Sequence, residues 1–223
     1  MSRRERRPET EIRRRFDSLA GSYDRRWPRY IASTTRETLT RIDLTGARAV
    51  LDVGCGTGVL LESIGRELPA ARLVGVDLSP GMLAVARRAL GSRASLAVGD
   101  SARLPFRSRS FDLVLSLSSL HHWRDPEDAL IEAHRVLRPS GRMAITDWCG
   151  DFLIDRLRGW VRRWLEPGHL RVYRSLDLEA MLARAGFRDI RVERWRLGWR
   201  WGLMTTVATR PGDSRSSVSA APP

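Results

Sequence analysis

The chain has 223 residues, 42% of them hydrophobic, and a formal net charge of +13 at pH 7. That length supports one ordinary domain with an appended cap. No run of about 18 apolar residues is present, which argues against a membrane span, and no apolar stretch follows Met1-Ser2-Arg3-Arg4, so no secretory signal is read and a cytoplasmic location is expected.

Taken in chain order, residues 1–10 read as a disordered basic head. Ile12, Phe16, Leu19, Ala20 and Tyr23 fall on one helical face, and a second helix is expected over 29–42. Strands and helices then alternate: strand 48–53, helix 58–68 stopped by Pro69, strand 72–77, helix 80–90, strands 94–98 and 111–116, helix 126–137 and strand 142–147. Ser79 and Asp125 read as N-caps, each followed by a proline at the first helical position. Phe152–Trp164 reads as a helix with a leucine and tryptophan side and an arginine side. Ser175-Leu176-Asp177 reads as the cap of a helix ending at Gly186, and two strands follow at about 188–196 and 202–209. Residues 211–223, rich in Pro, Ser and Ala, read as a disordered tail. The alternation predicts an α/β fold with a doubly wound, mostly parallel sheet.

The charge divides as +4 over residues 1–15, +3 over 16–150 and +6 over 151–210. The middle of the chain is nearly balanced, so the excess reads as a solvated surface with a basic head, and no stable nucleic-acid partner is expected. The chain contains no lysine, which excludes a P-loop. Cys55 and Cys149 do not suggest a disulfide framework, and no metal site is read.

The segment Val50-Leu51-Asp52-Val53-Gly54-Cys55-Gly56-Thr57-Gly58 is an apolar strand followed by a glycine turn. Without Cβ atoms the backbone bends sharply there and a ligand lies close to the peptide groups. The dinucleotide pattern G-x-G-x-x-G needs a glycine where Val59 stands, so NAD and FAD fit poorly. A second apolar run, Leu73-Val74-Gly75-Val76-Asp77, places an acid about twenty residues beyond Gly54, the separation of a carboxylate that accepts from ribose hydroxyls.

These motifs, in this order, resemble the class I methyltransferases that use S-adenosyl-L-methionine. The resemblance covers about residues 12–148. Phe16-Asp17-Ser18-Leu19-Ala20-Gly21-Ser22-Tyr23-Asp24 is similar to the first helix of the subgroup containing the C-methyltransferases of ubiquinone and menaquinone synthesis. It implies a Rossmann-like, seven-stranded sheet closed by a C-terminal antiparallel hairpin, with a methyltransferase domain over 11–210 and substrate-cap elements at about 11–45 and 150–175. It also implies a cofactor site made of Tyr23, Asp52, Gly54, Gly56, Gly58, Asp77, Leu78, Asp100, Ser101 and Ala102. In that reading Asp52 helps hold the methionine amine, and Asp100 with the backbone after it meets the adenine. Asp112 is implied as a fold-stabilising acid.

Each residue also has a plainer reading. Asp52 is then a buried acid capping a loop, and Tyr23 a core tyrosine. His121 or His122, after the fourth strand, is either a general base, for which an unperturbed pKa of about 6.5 is suitable, or a wall of the site. The late tryptophans Trp160, Trp164, Trp195, Trp199 and Trp201 are core packing, an apolar substrate pocket or a membrane-facing patch, so peripheral membrane contact is one expectation and an ordinary lid the other. The expected function is methyl transfer to O or C of a small, partly apolar acceptor. The alternatives are a nucleic-acid (RNA) methyltransferase and a non-catalytic S-adenosylmethionine-binding protein. Ser116-Leu117-Ser118-Ser119 stands where exocyclic-amine enzymes carry Asp/Asn-Pro-Pro-Tyr. The catalytic residues, the acceptor and the oligomeric state are left open.

Overall fold

The computed structural model describes residues 9–152, 171–199 and 201–213. The helices are α1 (Glu9–Leu19), α2 (Tyr23–Arg26), α3 (Pro28–Leu39), α4 (Val59–Glu67), α5 (Pro80–Leu90), α6 (Pro126–Val136) and α7 (Ser175–Arg184). The strands are β1 (Ala49–Val53), β2 (Arg72–Asp77), β3 (Ala94–Val98), β4 (Phe111–Leu117), β5 (Leu137–Trp148), β6 (Arg188–Leu197) and β7 (Trp201–Thr209). They form one seven-stranded sheet in the order β3-β2-β1-β4-β5-β7-β6. β1 to β5 run parallel to one another, and β7 pairs antiparallel with both β5 and β6. The seven-stranded sheet with its final hairpin is the architecture expected.

All five residues of β1 are buried. Leu51 and Val53 face one apolar layer, with Val114, Leu130 and Met143, while Val50 faces the other, with Leu60, Leu61 and Ile64. A strand covered on both faces reads as a continuous apolar run, which is why Ala49–Val53 showed no alternation. Asp112 lies outside these layers. Its Oδ2 accepts from the backbone N–H of Arg48 and Ala49 at 2.9 and 2.8 Å, and its Oδ1 accepts from Arg138 at 2.7 Å, tying β4 to the entry of β1 and to β5.

Several boundaries differ from expectation. The helix expected as one piece through Tyr23 is broken by a 3-10 turn at Ala20–Ser22, centred on Gly21, a poor helix former. It begins at Glu9, so residues 9 and 10 belong to α1 and not to a disordered head. β5 starts at Leu137, five residues early, and crosses an irregularity where Ser140 takes φ +63°. Asp125 does not cap α6 through its side chain, which accepts from Arg124 instead. Ser175 bonds Asp151, so the N-cap of α7 falls on Arg174, whose N–H donates to Asp177 at 3.3 Å. In the tail, Asp213 pairs with Arg109 at 3.0 Å, which ties down the first residues after β7. Most of the Phe152–Trp164 segment lies outside the described residues, as do Trp160 and Trp164. No helix among the described residues is long and apolar enough to cross a membrane.

Candidate active site

The chain runs from β1 outward through β2 and β3, then returns to β4 on the other side of β1. Such a reversal leaves a crevice beyond the carboxyl ends of the strands. Here it is an open cavity with about 1210 Å³ of empty space, part of it continuous with solvent.

Its floor is the glycine turn. Gly54 N and Cys55 N both donate to Val76 O, at 2.8 and 3.1 Å, extending the β1–β2 ladder into the loop. Gly54 has φ +74°, and a Cβ there would sit 1.9 Å from Ser119 Oγ. Gly56 has φ +52°, lines the cavity, and would point a Cβ into open space. Gly58 has another task. A Cβ on it would meet Leu90 Cδ1 at 2.8 Å, so it lets α4 pack on α5 and is not among the lining residues. Of the three glycines, Gly54 and Gly56 line the cavity.

Two acids stand beside the turn, Asp52 buried and Asp77 partly so. Asp77 Oδ2 accepts from Gly56 N and its Oδ1 from Ser79 N, both at 2.8 Å. Burial raises its pKa against the pull of these amides. Asp52 Oδ1 has no hydrogen-bond partner among the described residues. Burial first, and then the charge of Asp77, push the Asp52 carboxyl up to about 8. An orphaned buried carboxylate oxygen is unfavourable until a donor reaches it. A ligand presenting an ammonium to Asp52 and hydroxyls to the remaining lone pairs of Asp77 fits this pair, and S-adenosylmethionine carries both groups.

Leu78, Asp100 and Ser101 also line the cavity. Asp100 Oδ1 accepts from Ala102 N at 3.0 Å, so the Ala102 amide is engaged within its own turn. Ala102 is not among the residues that line the cavity. Tyr23 lines the cavity from the N-terminal side. Burial, followed by the nearby charges of Asp77 and Asp24, pushes its hydroxyl up to about 12, so it stays protonated at neutral pH.

Beyond Tyr23 lies a second cavity, with about 630 Å³ of empty space, which shares Phe16, Tyr23, Tyr30, Ser118 and His122 with the first. Trp27, Trp148 and Trp201 complete an aromatic wall. Trp148 stacks on Trp201 with ring centroids 5.5 Å apart, and its Nε1 donates to Tyr30 Oη at 2.7 Å. Tyr30 in turn shares a hydrogen bond of 2.9 Å with Ser118. His121 is buried in the same wall, with Nδ1 2.7 Å from Asp147 Oδ1. His122 stands edge-on to Phe16 at 4.9 Å, and Trp123 turns into the core, donating to Ser119 Oγ at 2.9 Å.

The helices over these cavities are fastened to the cofactor half of the fold. Asp17 Oδ1 accepts from Ser79 Oγ at 2.6 Å and from Gly81 N at 2.9 Å. A Cβ on Gly81 would lie 3.0 Å from Asp17 Cα, so glycine is what admits the close approach. Asp24 Oδ1 accepts from Thr57 Oγ1 at 2.8 Å. Sequence reasoning passed over Asp17, Tyr30, Asp147 and Trp148. One signal for Asp147 was present: like Asp52 and Asp77 it is an acid near the end of an apolar strand. For the aromatic wall only Trp201 was singled out, with an apolar pocket as one of its readings; its partners Tyr30 and Trp148 lie far from it in the chain or carry no motif.

A family model described as a methyltransferase domain matches residues 51–145. The chain is 34% identical to malonyl-[acyl-carrier protein] O-methyltransferase of Geobacter sulfurreducens, over 82% of this chain and 72% of that one. It is 32% identical to demethylmenaquinone methyltransferase of Thermobifida fusca, over 83% of this chain and 86% of that one. Among solved structures, the methyltransferase in complex with the Haloferax volcanii Trm112 methyltransferase activator superimposes with a TM-score of 0.78 over 91% of this chain and 98% of that one, at 21% identity, and so shares the fold. With the sheet order, the glycine turn and these relatives in agreement, the chain belongs to the class I S-adenosylmethionine-dependent methyltransferases.

Proposed function

We propose that the enzyme transfers a methyl group from S-adenosylmethionine to O or C of a small, partly apolar molecule seated in the second cavity. The observation that carries this reading is the junction of the two cavities: one beside the glycine turn, with Asp52 and Asp77 in its lining, shares Phe16, Tyr23 and His122 with an aromatic one. The relatives support it, since their names give an oxygen acceptor in one case and a menaquinone precursor in the other.

In this reading Gly54 and Gly56 give room to the methionine moiety, Asp52 takes its ammonium, Asp77 takes the ribose hydroxyls, and Leu78, Asp100 and Ser101 border the adenine. Tyr23 closes the cavity as a hydroxyl donor. S-adenosylmethionine supplies a methyl group already activated on a sulfonium centre. The chain's own residues then orient the acceptor and exclude water, the kind of alignment that reaches effective molarities of about 10⁵–10⁸ M. Gly58 and Ala102 support this site from behind.

The test is a thermal-shift screen of small aromatic and aliphatic acceptors with S-adenosylhomocysteine present, followed by transfer of labelled methyl to the hits. Stabilisation by the homocysteine product and label in a small acceptor are expected. Label recovered only in RNA would overturn the acceptor class, and binding of the cofactor product with no turnover of any acceptor would point to a non-catalytic binding protein.

A further inference from the structure

His121 lines the second cavity and pairs with the buried Asp147, and the reading above uses neither. Asp147 ends the buried part of β5, and His121 lies in the 3-10 turn after β4. Their side chains are 6% and 2% exposed for His121 and Asp147 respectively, and Nδ1 to Oδ1 is 2.7 Å. Oδ1 also accepts from Trp148 N at 2.6 Å, and Oδ2 accepts from His121 N at 3.1 Å. A carboxylate that accepts from these amides accepts from Nδ1 as well, so in neutral His121 the proton sits on Nδ1 and Nε2 is the basic nitrogen. Trp148 fixes the ring plane, stacking on it at 4.5 Å with an interplanar angle of 12°.

The two tyrosine hydroxyls of the cavity do not suit proton removal. Burial is the main force raising the Tyr30 and Tyr23 hydroxyls, so both remain donors. His122, whose ring centroid is 3.9 Å from that of His121, stands at the cavity junction, edge-on to Phe16. Arg15 lines the cavity as a cation. Arg171 approaches through its backbone, donating to His121 O at 3.3 Å. A cation in the wall disfavours an ammonium acceptor and favours one that becomes anionic. The aromatic walls suit a flat ring.

We infer that the second cavity takes a hydroxylated aromatic acceptor, and that His121, held by Asp147, removes its hydroxyl proton. The inference rests on the methyl-transfer reading and narrows its acceptor. In balance, Nε2 of neutral His121 takes the proton from the O–H, giving an imidazolium beside Asp147 and an oxyanion within the field of Arg15. The oxyanion's lone pair forms the bond to the methyl carbon as the sulfonium's bond to that carbon breaks, leaving the ether and the neutral thioether, and the imidazolium proton passes to solvent. His121 is the catalytic residue and Asp147 a positioning residue.

The experiment reads ionisation directly, without turnover. 4-Nitrophenol is titrated into the protein saturated with S-adenosylhomocysteine, and its absorption distinguishes phenol from phenolate. Wild type is expected to bind it as phenolate at a pH where the free compound is mostly neutral. H121Q and D147N, checked for unchanged S-adenosylhomocysteine affinity by calorimetry, are expected to lose that shift, H121Q completely, while binding the phenol within about tenfold of wild type. A merely structural tie between β4 and β5 would alter binding or melting and leave the spectrum of the bound probe alone. Neutral phenol bound to wild type, or a phenolate signal surviving in H121Q, overturns the role of His121. No binding of the probe overturns the acceptor class, and calorimetry with S-adenosylhomocysteine alone tells whether the methyltransferase reading fails with it.

Discussion

Gly56 donates its backbone N–H to Asp77 across 2.8 Å, so the acid at the end of β2 shapes the turn at the end of β1. Ser79 N holds the other oxygen of the same carboxylate. Asp77→Ala therefore removes a clasp as well as the proposed ribose contacts. Charge-assisted hydrogen bonds contribute about 1.5–3 kcal/mol each, so S-adenosylhomocysteine affinity is expected to fall by about one to two decades, with a lower Tm. Calorimetry giving wild-type affinity in this variant would remove Asp77 from the cofactor site.

The two glycines that line the cavity are expected to respond differently to a side chain. Gly56→Val puts its side chain into open cavity space, at a cost of about 1–3 kcal/mol for a left-handed non-glycine residue. The variant is expected to fold and to bind S-adenosylhomocysteine poorly. Gly54→Ala drives a Cβ into Ser119 Oγ at 1.9 Å, and is expected to lose stability in a urea titration more than Gly56→Ala does. Normal cofactor KM in Gly56→Val would reduce the loop to a turn.

The pH dependence follows from Asp52. Its carboxyl, raised to about 8 by burial and then by Asp77, lies above an ordinary carboxyl in the unfolded chain, so between those values the folded protein holds the extra proton. The contribution of Asp52 to stability thus falls as pH rises toward 8. Asp52→Asn is expected to flatten that fall in melts of the free protein across pH 5–8. An ammonium arriving at Asp52 favours the ionised form, so S-adenosylhomocysteine binding near pH 7 is expected to release protons, read by calorimetry in buffers of different ionisation enthalpy. Proton uptake, or none, would contradict the assignment.

Asp112 provides the structural contrast. Asp112→Ala strands the N–H groups of Arg48 and Ala49 and frees Arg138. A loss of about 0.5–1.5 kcal/mol per lost hydrogen bond is expected, since the donors are exposed or only part-buried, with S-adenosylhomocysteine affinity unchanged. A weaker affinity at unaltered stability would mean that Asp112 reaches the site.

The cofactor half of the molecule was legible because its parts are local. A glycine turn follows β1 directly, Asp77 ends the next strand, and Ser79 caps the helix after it, accepting from Met82 N at 3.1 Å as its place before Pro80 implied. Where a side chain had a choice of partner, the sequence misled: Asp125 and Ser175 look like caps but spend their oxygens on Arg124 and Asp151. The packing of Gly58 against Leu90 was not legible, because Leu90 ends α5, two helices and a strand further on. The acceptor half was legible only in fragments, such as Trp201 and the histidine pair, and not as an assembled wall. Phe16, Tyr30, Trp148 and Trp201 meet only because α1, α3, β5 and β7 converge, and nothing in any one segment announces that meeting.

The bonds from Asp17 to Ser79 and Gly81 give the acceptor side an unexpected mechanical character. The helix that carries Phe16 is bolted to the helix that begins just after Asp77, so the wall facing the acceptor and the edge facing the cofactor share one frame. A shift of the turn after β2 is geared directly to Phe16. Grafting a different first helix onto this scaffold to change acceptor preference would therefore succeed only if the newcomer brings a carboxylate at the position of Asp17, with glycine retained at 81. Without that bolt, remodelling one pocket would loosen the other.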